Sequence, residues 1–352
     1  MIDSVEALRK LTLAAMRTTG MTTVARPLLS GIGVILMLHR VTAAPAKSLD
    51  LNGHLAVHPR FLDAVLGEMK RRGYRFVSMD EATHLTRQPE KGPPFAAITL
   101  DDGYRDNLLE ALPVFEKHET PFTIYIAPGL IDGAVSLWWD VIEDVVTIRD
   151  RVHLATESGS LELEAGTPRE KAQAFRKVVA HLSQGIAEED QHRAVQALGQ
   201  LPDADLLVRA QADLMTWDEI RSIAQHPLGT IGAHTVHHYA LKRLDRNKAL
   251  AEMVEAVALI EREIGERPRH MAYPYGFAAA VGEREAELAK EAGFLSAVTT
   301  RHGLIQRRHA DHLHALPRLS LNGRYQSLDN VQTMLSGVTV PLANKGRRFV
   351  TM

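Results

Sequence analysis

Cysteine is absent from the 352 residues. Disulfides are therefore excluded, and so are thiolate ligands, so any bound metal must be held by histidine, aspartate or glutamate. Long apolar runs are lacking too. No stretch reaches the ~20 apolar residues that a transmembrane helix needs. Charge of one sign is scarce: the formal net charge is -2 and the basic residues form no long run. Nothing therefore points to nucleic acid, whose binding needs a concentrated cationic face. What is plentiful is histidine, with 17 copies.

Residues 1–30 lack the basic n-region, unbroken apolar core and small-residue cleavage site of a secretory signal. Val5, Leu8, Leu11, Leu13, Ala15 and Met16 instead predict one amphipathic helix carrying Arg9, Lys10 and Arg17. Such a helix packs on the domain, or it makes peripheral contact with a membrane surface. The expected location is the cytoplasm, with membrane association through this helix as the variant.

Short apolar runs followed by polar turns predict strands at Gly33–Leu38, Ala96–Leu100, Phe122–Ala127, Gly229–Gly232, His270–Tyr273 and Ser296–Thr299. Between them, helical patterns cover Pro59–Arg72, Asn107–His118, Trp217–Gln225, Arg246–Ile264 and Gly282–Ala292. Strands alternating with helices of this length imply βα units and a parallel sheet or barrel. In such folds, sites assemble at the C-terminal strand ends. Residues 130–214 break the rhythm. They hold Leu137-Trp138-Trp139-Asp140, a hairpin over Val152–Glu164 around Ser158-Gly159-Ser160, and helices Pro168–Ser183 and Glu188–Leu198. This insertion is expected to form a lid or side wall. The domain is expected to span 31–335, followed by a short tail, 336–352, that frays around Lys345-Gly346-Arg347-Arg348.

Three constellations carry chemistry. Asp101 and Asp102 stand side by side at a strand end before Gly103. One carboxylate of such a pair can bind a cation while the other takes a proton from water. A plain turn would also favour Asp-Asp-Gly. His234 and His238, in HTVHH, are four apart and would reach one ion from a helical turn. About one such pair arises by chance among so many histidines. His54 and His58 form another, ahead of a helix start, and fit a solvated loop. His237 should point away from the ligand pair. The loop Ala272-Tyr273-Pro274-Tyr275-Gly276 ends a third strand, and the Tyr275 N–H could serve as an oxyanion donor.

Together these segments resemble the polysaccharide deacetylase family, carbohydrate esterase family four, which includes the nodulation-type chitooligosaccharide deacetylases. Thr99-Leu100-Asp101-Asp102-Gly103-Tyr104 is similar to that family's TFDDG motif, and HTVHH to H-[ST]-x-x-H. AYPYG is similar to the motif that often reads RPPYG. The resemblance covers roughly residues 30–335, and Trp139-Asp140 and Trp217-Asp218 resemble pairs in longer bacterial members. It implies a distorted (β/α) barrel. It also implies that Asp101 is the general base, and that Asp102, His234 and His238 hold one divalent ion, zinc first, with cobalt or nickel as alternatives. The activity implied is removal of N-acetyl groups from N-acetylglucosamine-type residues of an oligo- or polysaccharide, with Tyr275 N–H on the oxyanion.

Two departures follow. The family's acid is a histidine in a late L-x-H motif, for which His314 in HLHALPRLS is one candidate. His39, ending the apolar strand Val34–Leu38, is the preferred one if the last strand of the barrel comes first in this chain. The arginine of RPPYG is Ala272 here, and Arg318 is the candidate substitute for orienting Asp101. Two other functions compete: a carbohydrate-binding protein that kept the fold without catalysis, and a hydrolase of small cyclic amides or imides. A polymer needs aromatic platforms, for which Trp138, Trp139, Tyr104 and Tyr275 are available.

Overall fold

The segments GVILML and FAAITLD are apolar at nearly every position rather than at alternate ones, as expected of parallel strands covered on both faces. Both are buried throughout. The computed structural model describes residues 11–352 except 14, 17, 89–91, 157–158 and 202–203. In it these two segments are β1 (Gly33–Leu38) and β2 (Phe95–Asp101). They are followed by β3 (Phe122–Ile126), β4 (Gly229–Ala233), β5 (His270–Ala272), β6 (Ser296–His302) and β7 (Leu316–Ser320). All pairings among the seven are parallel, and spatial order follows sequence order. β1 closes the ring by pairing with β2 on one side and β7 on the other. The result is a closed seven-stranded (β/α) barrel. It is distorted, because the β6–β7 register shifts between Val298 and His302.

Six of the seven strands and the five helical patterns stand close to their predicted limits. Helix Arg246–Ile264 matches at both ends and stops at Gly265, whose φ of 77° supplies the left-handed turn. β7 is the strand that the sequence does not announce. Its run Leu-Pro-Arg-Leu-Ser lacks an apolar pattern, because Arg318 points into the barrel and is only 1% exposed.

The insertion leaves the barrel after β3. It comprises helix Trp138–Ile148, an antiparallel hairpin of Arg151–Thr156 with Gly159–Glu164, and helices Pro168–Ala180, Glu188–Gly199 and Leu206–Ala212. Ser158 lies outside the described residues. The Thr167–Glu170 capping box and Pro168 at the first turn set the start of the second of these helices. Glu188 fastens the insertion to the rim by accepting the Ala240 N–H at 2.8 Å and pairing with Arg243.

Both termini depart from expectation. The tail does not fray: Arg301 Nη1 donates to the Thr351 carbonyl at 2.5 Å, and Val350 is buried with its carbonyl 2.8 Å from His309 Nε2. At the other end, Gly20 at φ 73° starts a separate helix, Met21–Leu29, so the single-helix expectation fails there. Val5, Leu8, Arg9, Lys10 and Arg17 lie outside the described residues. Among those described, no helix is long and apolar enough to cross a membrane.

Candidate metal-hydrolase site

β2 delivers Asp101 from its last position. The chain then turns with Asp102 at φ 75° and Gly103 at φ 78°. A left-handed aspartate is costly, and it redirects the second carboxylate so that neighbouring side chains serve one pocket. His234 follows β4 directly. Its N–H donates to the Ile126 carbonyl at 2.9 Å, which ties the loop to β3. HTVHH is not a helical turn. Thr235 and His238 have φ of 61° and 58°, and the Thr235 hydroxyl accepts the His238 N–H at 3.1 Å. That tight loop, rather than helical spacing, brings the two rings to 4.8 Å between centroids.

Asp102 Oδ1 lies 3.6 Å from His234 Nε2 and 3.4 Å from His238 Nε2, and all three residues are buried. The donor atoms lie within 4.8 Å of one another. Asp102 Oδ1 has no hydrogen-bond partner, an arrangement that costs free energy unless something charged sits there. His234 Nδ1 stands 2.7 Å from the Ala272 carbonyl and donates to it, leaving the Nε2 lone pair facing Asp102. Burial beside His238 lowers His234 to about 4. Burial alone would raise Asp102, yet His238, His39 and His234 hold it down at about 2. A charged carboxylate and a neutral imidazole are the states a divalent cation requires. One oxygen and two imidazole nitrogens suit zinc, cobalt or nickel. The residues fit such an ion.

Asp101 faces the barrel interior. Arg318, reaching from β7, donates Nη1 to its Oδ1 at 2.8 Å and Nη2 to its Oδ2 at 2.6 Å. Arg318 also donates to Thr99 Oγ1 and to the Thr299 carbonyl, so the guanidinium is fixed on three sides. Burial pushes the Asp101 carboxyl up, but the guanidinium outweighs it and the group stays below the usual carboxylate range.

The two acid candidates lie at opposite ends of the barrel. Leu38 pairs with Leu100, so His39 stands level with Asp101 at the C-terminal rim. Its ring makes no hydrogen bond among the described residues. His314 precedes β7, and its Nε2 is bonded to the carbonyl of Phe294, which precedes β6. It therefore belongs to the N-terminal end. Tyr275 sits in the loop after β5 at φ 61°, its ring 4.9 Å from His238, and its N–H meets no acceptor among the described residues.

His58 is the cap of helix Pro59–Arg71, its Nδ1 accepting the Arg60 N–H at 3.1 Å. Asp218 pairs with Arg221 at the surface. His237 turns from the cluster to Glu252, 2.6 Å away. Sequence reading missed Glu252. Its other oxygen accepts the N–H groups of Val236 and His237 and holds the ligand loop from helix Arg246–Ile264. A lone glutamate in mid-helix gives no sign of such a role.

Residues 88–296 match the family model described as polysaccharide deacetylase. No curated protein matches the chain. Among solved structures, the Streptococcus pyogenes deacetylase PplD, in complex with acetate, aligns at 18% identity and TM-score 0.57, over 86% of this chain and 97% of that one. IcaB from Ammonifex degensii aligns at 17% and 0.55, over 87% and 97%. At these identities the likeness is one of fold.

Proposed function

Because the chain belongs to the polysaccharide deacetylase family, we propose that its site removes N-acetyl groups from N-acetylglucosamine-type residues of an oligo- or polysaccharide. As a member it is a hydrolase of carbon–nitrogen bonds, an N-deacetylase. The observation that carries the finer reading is the Asp101–Arg318 pair beside the Asp102, His234, His238 cluster. A module that only bound sugar would have no use for an oriented, ionised carboxylate there.

Asp102, His234 and His238 would hold the divalent ion, zinc first and cobalt or nickel as alternatives. When bound, that ion supplies Lewis acidity to the acetamide carbonyl and to the attacking water. Asp101, kept charged and fixed by Arg318, takes the proton from the water as its oxygen bonds to the carbonyl carbon. The Tyr275 N–H donates to the oxygen that gains charge. His39 gives its proton to the amide nitrogen as the C–N bond breaks, and the products are acetate and a free amino sugar. The test is acetate release from acetylated oligosaccharides with added zinc, cobalt or nickel. Release that depends on metal and disappears in Asp101→Asn supports the reading. Metal-independent release, or full activity in Asp101→Asn, overturns it.

A further inference from the structure

Three of the four aromatic side chains that the sequence offered as sugar platforms are not available. Tyr104, Trp138 and Trp139 are 0%, 6% and 9% exposed. Trp139 Nε1 donates to the Tyr104 hydroxyl, which donates to Asp140, and Trp138 Nε1 donates to the Tyr275 hydroxyl. These rings build the wall of the site. They cannot also present a face to a polymer.

A different ring does. Phe277 is 48% exposed, the one aromatic among the large hydrophobic side chains left in solvent within the described residues. It continues a row of rings that starts at the candidate ligand His238. The His238 and Tyr275 centroids are 4.9 Å apart, and those of Tyr275 and Phe277 are 6.1 Å apart. The next residues, Ala278 and Ala279, are exposed as well, so the loop tip carries no charge.

The tip is also held rigidly. The Phe277 carbonyl accepts the N–H groups of Ala280 and Val281, Lys242 Nζ donates to the Ala278 carbonyl, and the Thr300 hydroxyl donates to the Tyr275 carbonyl. At Gly276, with φ 60°, a Cβ would meet the Thr300 nitrogen at 2.4 Å, so the backbone at the base of the tip is fixed against β6. An exposed phenyl on a fixed backbone loses little freedom when something stacks on it.

We infer that Phe277 is a binding platform for the apolar face of a pyranose ring next to the residue being deacetylated, so that the site selects oligomers over single sugars. A pyranose presents C–H groups on one face, which complement the negative face of an aromatic ring. The occupant is a sugar rather than a lipid, because the ring continues the row leading to the metal-ligand cluster. This rests on the deacetylase reading.

The test compares wild type, Phe277→Ala and Phe277→Trp. Acetate release is followed on N-acetylglucosamine tetramer, ester cleavage on 4-nitrophenyl acetate, and equilibrium binding of the tetramer by fluorescence titration. For Phe277→Ala, KM and Kd for the tetramer should rise about tenfold with kcat retained, and ester cleavage should stay unchanged. Phe277→Trp should restore affinity. Equal losses on both substrates mean a structural role and overturn the inference, as does an unchanged Kd for the tetramer. Reduced flotation of Phe277→Ala with anionic phospholipid vesicles, at unchanged tetramer affinity, also overturns it in favour of a membrane contact. If wild type releases no acetate, the deacetylase reading fails, while the binding arm still decides the platform.

Discussion

Arg318 and Asp101 form a two-point ion pair across the barrel interior, with both side chains at most 2% exposed. Each charge is tolerable there only because of the other. Arg318→Met should cost about 3–5 kcal/mol of stability in urea unfolding, and Asp101→Asn added to it should recover part of that loss. A single-variant cost under about 1 kcal/mol would show that water reaches the carboxylate.

The orphaned Asp102 oxygen makes metal binding part of stability. Saturating zinc should raise the thermal midpoint of chelator-treated protein by about 5 °C or more, and His234→Ala should abolish the rise along with bound metal. Elemental analysis together with a thermal melt reads both. An equal rise in His234→Ala would place the ion elsewhere.

His39 and His314 separate cleanly, because they lie at opposite ends of the strands. His39→Asn should lower kcat by roughly 10²–10⁴-fold. His314→Ala should leave turnover near wild type and cost about 1 kcal/mol for its bond to Phe294. The reverse pattern would move the acid to the other end of the barrel.

Asp140 offers a pH signature away from the candidate ligands. Burial pushes its carboxyl up to about 6, against the pull of Arg40, Lys47 and the Tyr104 hydroxyl. A folded value above the unfolded one means that the native state binds the extra proton, so this group's contribution falls as pH rises from about 4 to about 6. The full effect is on the order of 3 kcal/mol. Asp140→Asn should therefore gain stability relative to wild type at pH 7.5 compared with pH 5. A difference that does not change with pH would mean Asp140 is ionised throughout.

The barrel was legible because its strands are short, apolar on both faces and followed by polar turns. β7 escaped for the reason that makes it useful: a buried arginine reads like a surface residue until its partner, 217 positions away, is known. The candidate ligands were legible as motifs, but their geometry was not. His234 and His238 meet through two left-handed residues rather than a helix, and no spacing rule reports that. The platforms were not legible, because an aromatic residue near a site reads the same in the sequence whether it faces solvent or not, and hydrogen bonds among Trp139, Tyr104 and Asp140 turn these rings inward.

The closing of the ring by β1 and β7 has a consequence for biosynthesis. The β2 partner of β1 lies close to it in sequence, but its other edge waits for Leu316–Ser320, nearly the whole chain later. Until that strand emerges, Asp101 has no guanidinium and the barrel keeps an open seam, a contact of long sequence separation that forms slowly. Docking of the last strand then does two things at once. It seals the barrel and supplies the positive charge that Asp101 needs to stay ionised in the interior.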